Sequence, residues 1–245
     1  DGGFFRHCAH ADWGQPQLEK MLEDNLGLAR EFLGASILLD RPQYREIAKQ
    51  TFNYLMEQVY DPAVPGFRGS QGAHSDYFSM SLDQRTEDAR PAADPSCYAN
   101  GNGLAVTVLL DAAWKLGDPS LQTTALQVLK KLDSMAQSDS FSHVYSEHGP
   151  SDVPALLTDW AWLLTALMQA HGNTANETYL ERAVAVAQIM IERFFDQKGG
   201  GFYDIEEQSE AIGHLQIREK TLIDNTVAAQ ALVRLYQSTR NEDYR

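Results

Sequence analysis

Apolar residues recur along this chain at helical spacing, and seven segments show the pattern. Three segments carry apolar side chains along one face only, which predicts amphipathic helices with the other face in water. They span residues 44–59, 121–136 and 179–194. Three others are apolar almost all round, which predicts helices buried on every side. They span residues 104–116, 156–170 and 227–236, and the remaining segment, 18–33, is intermediate.

Fully buried and half-buried helices therefore alternate along the chain. An inner ring of helices wrapped by an outer ring requires this alternation, so we predict an all-α fold, an αα-hairpin toroid. Connections from an inner to an outer helix are short, whereas the returning connections are long. The long ones are residues 61–101, 137–154 and 196–220. They gather at the end where the inner helices begin, which we call the mouth.

A short glycine–aromatic element returns along the chain. It reads Gly2-Gly3-Phe4, Gly66-Phe67 and Gly200-Gly201-Phe202. Such recurrence indicates a repeat architecture. A complete toroid has six hairpins, and this chain accounts for about three and a half. We therefore expect residues 1–245 to form one partial toroid domain, with a long mouth-side loop at about 61–101.

Charge and composition limit the classes of molecule that this chain is expected to bind. The 245 residues carry a net charge of −14, which argues against nucleic acid and against an anionic membrane surface. No apolar run reaches membrane-spanning length. Cys8 and Cys97 lie far apart, as expected for a reducing, cytoplasmic setting without a disulfide framework. No metal-ligand or phosphate-loop motif occurs, so we expect neither a metal nor another cofactor.

Acidic residues stand near the beginnings of the inner helices. The candidate catalytic residues are Glu19, Asp24, Asp159 and Asp224. Carboxylates that converge on one concave mouth suit general acid–base chemistry on sugars. Aspartate is also a favoured N-cap, and acids in a first turn complement the helix dipole. The structural and the catalytic interpretations therefore both stay open.

The candidate ligand-binding residues lie at the same end. They are Arg6, Trp13, Asn102, Trp160 and Asn225. Aromatic faces suit the apolar faces of sugar rings but equally serve packing. Arg6 can hold a ligand carboxylate or pair with Glu19 or Asp24. A sugar epimerase needs bases on both faces of the sugar, for which the candidates are His7, His143 and His148.

Several motifs carry a family resemblance. Gly2-Gly3-Phe4-x-Arg6, Trp13 and Pro16-x-x-Glu19-Lys20-Met21-Leu22-x-Asp24 resemble the spermatogenesis-associated thioredoxin-domain-containing family, as do Asn102-Gly103-Leu104, Thr158-Asp159-Trp160-Ala161 and Asn225-Thr226-Val227-Ala228. The resemblance implies a six-hairpin helical toroid preceded by a thioredoxin-like domain in the full-length protein. That toroid is in turn similar to N-acylglucosamine 2-epimerases and six-hairpin glycoside hydrolases.

Two functions are compatible with these observations. The first is a carbohydrate-active toroid, glycoside hydrolase-like or sugar epimerase-like, that binds a small-molecule sugar at the mouth. The second is a non-catalytic module that binds a peptide or a glycan and works with a thioredoxin-like domain. They differ in whether the mouth carboxylates face each other across open space or are each bonded within the fold.

Overall fold

The computed structural model describes residues 2–136, 141–207 and 213–245. These residues form eight α-helices. They are α1 (Leu22–Leu38), α2 (Pro42–Tyr54), α3 (Ser75–Ser79), α4 (Ala99–Leu116), α5 (Pro119–Met135), α6 (Leu157–Thr174), α7 (Glu177–Phe194) and α8 (Leu222–Thr239). A π-helical turn, Leu55–Val59, continues α2.

Nine very short strands occur in the mouth loops of the described ranges. They are β1 (His7–Cys8), β2 (Pro16–Gln17), β3 (Lys20–Met21), β4 (Tyr60–Asp61), β5 (Gly66–Phe67), β6 (Ser70–Gln71), β7 (Cys97–Tyr98), β8 (Val144–Ser146) and β9 (Gly149–Pro150). All pair antiparallel, as β1 with β2, β3 with β6, β4 with β5, β7 with β8, and β8 with β9. The pairing joins loops that are distant in sequence, for example β3 with β6.

The long helices form an arc of two layers, as the sequence predicts. The inner helices α1, α4, α6 and α8 pack side by side in that order, and the outer helices α2, α5 and α7 each pack on the inner helix before them. Inner helices contribute fully buried leucines such as Leu26, Leu109 and Leu163. The outer helices bury one face only, for example at Phe52. Three hairpins and a fourth inner helix result.

The first helix begins later than its apolar pattern predicts. Residues 16–17 and 20–21 pair as strands with β1 and β6, so α1 begins at Leu22 and runs on to Leu38. Glu19 therefore precedes the helix, and Asp24 lies in its first turn rather than in its second. Backbone hydrogen bonds to distant loops, which a local pattern does not contain, make this difference.

Glycine lets two inner helices approach closely at the mouth. A Cβ atom at Gly103 of α4 would lie 2.8 Å from Cβ and 2.9 Å from the carbonyl carbon of Trp162 in α6. Because backbone cannot move aside as a side chain can, no larger residue fits without separating the helices. Gly103 thus fixes the spacing of α4 and α6.

An asparagine at the fourth position of α4 clamps the backbone of a mouth loop. Asn102 Oδ1 accepts the N–H of Phe67 at 2.6 Å, and Asn102 Nδ2 donates to the Phe67 carbonyl at 2.9 Å. Nδ2 also donates to the carbonyl of Tyr98, four residues earlier, at 2.9 Å. The same three bonds join Asn25 to Phe4 and Met21, and Asn225 to Phe202 and Thr221. The recurring glycine–phenylalanine elements are therefore the loop halves of this clamp.

A second repeated hydrogen bond ties the inner helices α1, α4 and α6 to a later mouth loop. The first N–H of the helix donates to a loop carbonyl, as Leu22 to Gly69, Ala99 to His143 and Leu157 to Asp204, at 2.8–2.9 Å. The acceptors lie two residues after Phe67, Phe141 and Phe202. Phe141 is therefore the structural equivalent of the clamped phenylalanines, although no glycine precedes it.

We expect Asn102→Ala to lower the free energy of unfolding by about 2–4 kcal/mol, because the substitution leaves the buried N–H and carbonyl of Phe67 without partners. Urea unfolding would measure this loss. Asn225→Ala is the matched control. It removes the same bonds at a partly exposed position and is expected to cost less. An Asn102→Ala loss below about 1 kcal/mol would contradict a stabilising role for the clamp.

Candidate functional site

The clamp is absent from one inner helix, α6. Its fourth residue is Trp160, whose ring packs edge-on against Phe141 with centroids 4.8 Å apart. Trp160 is only 3% exposed. An aromatic contact thus takes the place of the backbone clamp, and the polar residue of this helix start is moved one position earlier, to Asp159.

Asp159 is fully buried and is held by donors from three segments. Its Oδ2 accepts the N–H of Leu156 at 2.8 Å, which caps α6. Its Oδ1 accepts the N–H of Asn100, at the start of α4, at 2.9 Å. Both oxygens contact Nδ1 of His143, at 3.0 and 2.9 Å. Burial raises the pKa of Asp159, and these donors oppose that rise.

The orientation of His143 is fixed on several sides. The hydrogen bond that His143 donates to Asp159 raises the pKa of His143, while partial burial opposes the rise. The ring also packs against Tyr98, with centroids 5.5 Å apart. Because Nδ1 faces the carboxylate, Nε2 is left as the basic nitrogen of the neutral imidazole. This is the arrangement of a carboxylate-oriented general base.

Glu23, the second residue of α1, lies beside this pair. Its Oε1 accepts a hydrogen bond from Nδ2 of Asn100 at 3.2 Å. Partial burial raises the pKa of Glu23, and the negative charges of Asp24 and Asp224 raise it further, while His143 lowers it. Glu23 on the first inner helix of the arc and Asp224 on the last therefore lie close enough to interact electrostatically, and Glu23 also interacts with His143.

The predicted acids occupy different places. Asp159 belongs to the pair with His143, and Asp24 lies exposed next to Glu23. Asp224 accepts a hydrogen bond from the hydroxyl of Thr221 at 2.6 Å, so it shares in capping α8, and its charge acts on Glu23. Glu19 forms an ion pair with Arg6 at 2.9 Å. It lies in the loop before α1, so the expectation that it lies on the helix is wrong.

Four of the five predicted ligand-binding residues have side-chain partners within the fold. Asn102 and Asn225 are engaged in clamps, and Trp160 is buried against Phe141. These three side chains therefore have structural partners, and their contact with a ligand stays a prediction. Arg6 pairs with Glu19, the alternative that the sequence left open. Trp13 lies in a loop with a φ of 60°, and it is 81% exposed.

The three candidate histidines are not brought together. His143 contacts Asp159, whereas the side chain of His148 is 88% exposed and lies 3.8 Å from Glu147. His7 is an exposed residue of β1, opposite Gln17. A pair of histidines acting on opposite sugar faces is therefore not formed by these residues.

Sequence reasoning missed Glu23 and Asn100 as site residues and did not foresee that His143 pairs with Asp159. One signal was available in the repeats. The loop before α6 carries Phe141 without a preceding glycine, and α6 carries Trp160 where its neighbours carry asparagine. A break in a structural repeat marks the place where another role displaces the structural one.

The described ranges contain no group of three or more His, Cys, Asp or Glu side chains placed to hold a metal ion. No helix within them is long and apolar enough to cross a membrane. Cys8 and Cys97 are free thiols, and burial raises the pKa of Cys97 to about 12.

The pairing with Asp159 predicts a specific pH dependence. Because the pKa of His143 is raised in the folded state, the folded chain holds this proton more tightly than the unfolded chain does. The stability gained is present below about pH 6.5, the ordinary histidine value, and is lost as the pH rises through the raised value. We expect the difference in free energy of unfolding between wild type and His143→Gln to fall from pH 6 to pH 8, as measured by urea unfolding. A constant difference would contradict the pairing.

Comparison with known proteins places the fold. No family model matches the chain. A curated relative, "Uncharacterized protein B0495.5" of Caenorhabditis elegans, is 24% identical over 172 residues, which cover 66% of this chain and 23% of that protein. The chain thus spans less than a quarter of that relative.

Several solved structures share the architecture. A D-mannose isomerase superimposes with a TM-score of 0.72 at 14% identity, covering 93% of this chain and 56% of that one. The cellobiose 2-epimerase of Spirochaeta thermophila gives 0.76 at 17% identity, with 98% and 58% covered. A family 76 glycoside hydrolase (mannosidase) of Bacteroides thetaiotaomicron gives 0.61 at 15% identity, with 92% and 56% covered. The chain spans under three fifths of each and has the fold of α/α-toroid sugar epimerases and glycoside hydrolases.

Proposed function

We propose that this chain is a carbohydrate-active α/α-toroid protein whose site lies at the mouth, at the N-termini of the inner helices. The observation that carries the proposal is the buried Asp159 carboxylate aligned on His143, with Glu23 beside it. A capping role for Asp159 needs only the N–H of Leu156. The added contact with a histidine is typical of an activated base. The fold neighbours, which include sugar isomerases and epimerases, support the same interpretation.

The geometry favours proton transfer next to a sugar carbonyl, which is epimerase-like or isomerase-like chemistry. Nε2 of His143 removes the proton from the carbon beside the carbonyl, and Asp159 stabilises the imidazolium that forms. Glu23, whose pKa is raised, is suited to give a proton to the carbonyl oxygen as the enediol forms. His143 then returns its proton to carbon 1 while Glu23 takes the hydroxyl proton from oxygen 2, so a 2-keto sugar forms and both residues end as they began. Inversion at carbon 2 instead requires a proton delivered to the opposite face of the enediol.

A hydrolase-like reaction is the second candidate, and one observation favours it. Glu23 and Asp224 come from the two ends of the arc and still interact electrostatically. Glycoside hydrolysis uses two carboxyl groups on either side of the scissile bond. Glu23, with its raised pKa, would then act as the acid and Asp224 as the base or nucleophile.

The other candidate residues enter the proposal as surroundings of the site. Asp24 adds negative charge next to Glu23, while Arg6, Glu19 and Trp13 lie on the loops before α1 and border the mouth. A cytoplasmic location, as expected from the separated thiols of Cys8 and Cys97, is also part of the proposal. The non-catalytic alternative, a peptide- or glycan-binding partner of a thioredoxin-like domain, predicts binding without turnover.

Solvent exchange at sugar carbon 2 tests the proposed chemistry. The full-length protein would be incubated in D2O with mannose, glucose and cellobiose, and deuterium incorporation would be followed by NMR. We expect His143→Gln to lower the exchange rate by about 100-fold or more, the usual share of a general base. His148→Gln, which removes an exposed histidine, is the matched control and should change the rate less than about twofold.

The outcomes separate the candidate functions. Exchange that is lost in His143→Gln supports the epimerase-like reaction. Release of nitrophenol from nitrophenyl glycosides, lost in both Glu23→Gln and Asp224→Asn, supports the hydrolase-like one. Binding of a sugar without either reaction supports the non-catalytic module. No sugar binding by a folded protein would contradict the proposal.

A further inference from the structure

One aromatic side chain of the inner helix α6 is left partly uncovered. From Leu157 to Ala170, the residues that are not fully buried are Thr158, Trp162 and Gln169. Their spacing of four and seven residues places them on one face of the helix. Trp162 is therefore the single large apolar side chain of this range that keeps part of its surface free.

The neighbouring helices show where this face points. In the described part of the chain, α6 packs against the inner helices α4 and α8 and against the outer helices α5 and α7. The side of α6 that these four helices leave open is the concave side of the arc. Helix α4 has the same pattern, because over residues 99–113 its partly exposed positions are Asn100, Leu104, Thr107 and Asp111. Asn100 contacts Asp159 and Glu23, so the concave surface is continuous with the candidate site.

Trp162 lies next to that site. It follows Asp159 by three residues on α6, and its Cβ atom and carbonyl carbon lie against Gly103 of α4. Long side chains on helices lean toward the helix N-terminus, and the N-terminus of α6 is at the mouth. The indole of Trp162 therefore extends toward the level of Asp159 and His143.

The opposite wall leaves room at the same depth. Gly27 lies one turn after Glu23 on α1, and a Cβ atom at Gly27 would meet no heavy atom within 4 Å. The concave surface thus has polar groups at its rim, such as Glu23 and His143, and an aromatic side chain one turn further in. Polar groups that bond hydroxyls and a flat apolar surface that covers ring C–H groups are the two parts that a sugar requires.

We propose that Trp162 is the platform on which the sugar ring stacks, so that the mouth selects a pyranose over an acyclic polyol. This inference rests on the proposed function, because it takes sugar binding at the mouth as given. A pyranose chair holds its C–H groups in a rigid array that covers an indole, whereas a polyol must first lose the rotational freedom of its chain. Both reactions considered above begin with a cyclic sugar, so the inference is compatible with either.

Titration calorimetry with the full-length protein tests the inference. The probes are 1,5-anhydroglucitol and 1,5-anhydromannitol, which are pyranoses, and the acyclic glucitol and mannitol. None of them contains a carbonyl or a glycosidic bond, so binding is measured without turnover. We expect at least one pyranose to bind about fivefold or more tightly than its acyclic counterpart. Trp162→Ala should weaken binding of that pyranose by about tenfold and bring the ratio close to one.

Two further variants guard the test. Trp162→Ala keeps the Cβ atom and the backbone that meet Gly103, so the spacing of α4 and α6 is retained, and Trp162→Phe should bind the pyranose with intermediate affinity because its ring is smaller. Trp114→Ala is the matched control. It removes a tryptophan that is 78% exposed near the end of α4 opposite the mouth, and it should change both affinities by less than about twofold.

The results distinguish this inference from the proposed function. A pyranose that binds Trp162→Ala as tightly as wild type would overturn the stacking role and leave sugar binding intact, and so would equal binding of pyranoses and polyols. An equal loss in Trp114→Ala would also overturn it, since the effect would then not be local to Trp162. If neither a pyranose nor a polyol binds to the folded protein, the proposed function fails, and this inference fails with it.

Discussion

The arc depends on one interaction, the asparagine clamp between an inner helix and the backbone of a mouth loop. Asn102 satisfies both backbone groups of Phe67 and a carbonyl of its own helix. Buried backbone groups without partners are costly, so long loops can cross the mouth only where such partners exist. Asn25 and Asn225 repeat the solution at other helices. The clamp therefore lets functional loops lie on the helix starts in a defined geometry.

The candidate site forms at α6, the inner helix that lacks the asparagine clamp. At α6 the contact of Phe141 with Trp160 holds the loop in place of an asparagine clamp. The polar residue at this helix start, Asp159, can therefore bind other groups. Asp159 still caps the helix but also orients His143. Because the first N–H of α4 binds the carbonyl of His143, the same repeat that builds the ring places this histidine next to Glu23. Structure and proposed chemistry thus share one set of hydrogen bonds.

Sequence patterns predicted the all-α toroid arc and the gathering of its loops at one end, because helix amphipathicity and loop length are local properties. They predicted the site less well. Glu19 was placed on a helix that begins three residues later, since the strand pairing that delays α1 involves the distant Ser70–Gln71. Asn102, Asn225 and Trp160 are predicted as ligand contacts, and local patterns do not show that each also binds a loop phenylalanine well before it in the chain.

By itself the sequence determined which segments are helical, which helices are buried on all sides and where chemistry-bearing residues gather, because these follow from the spacing of side chains along the chain. Only the tertiary structure decided which of the polar residues cap, clamp or face the mouth. An aspartate that caps a helix and one that orients a base use the same oxygens. The difference lies in the group opposite, such as His143 at Asp159 or Thr221 at Asp224, and folding alone brings those groups together.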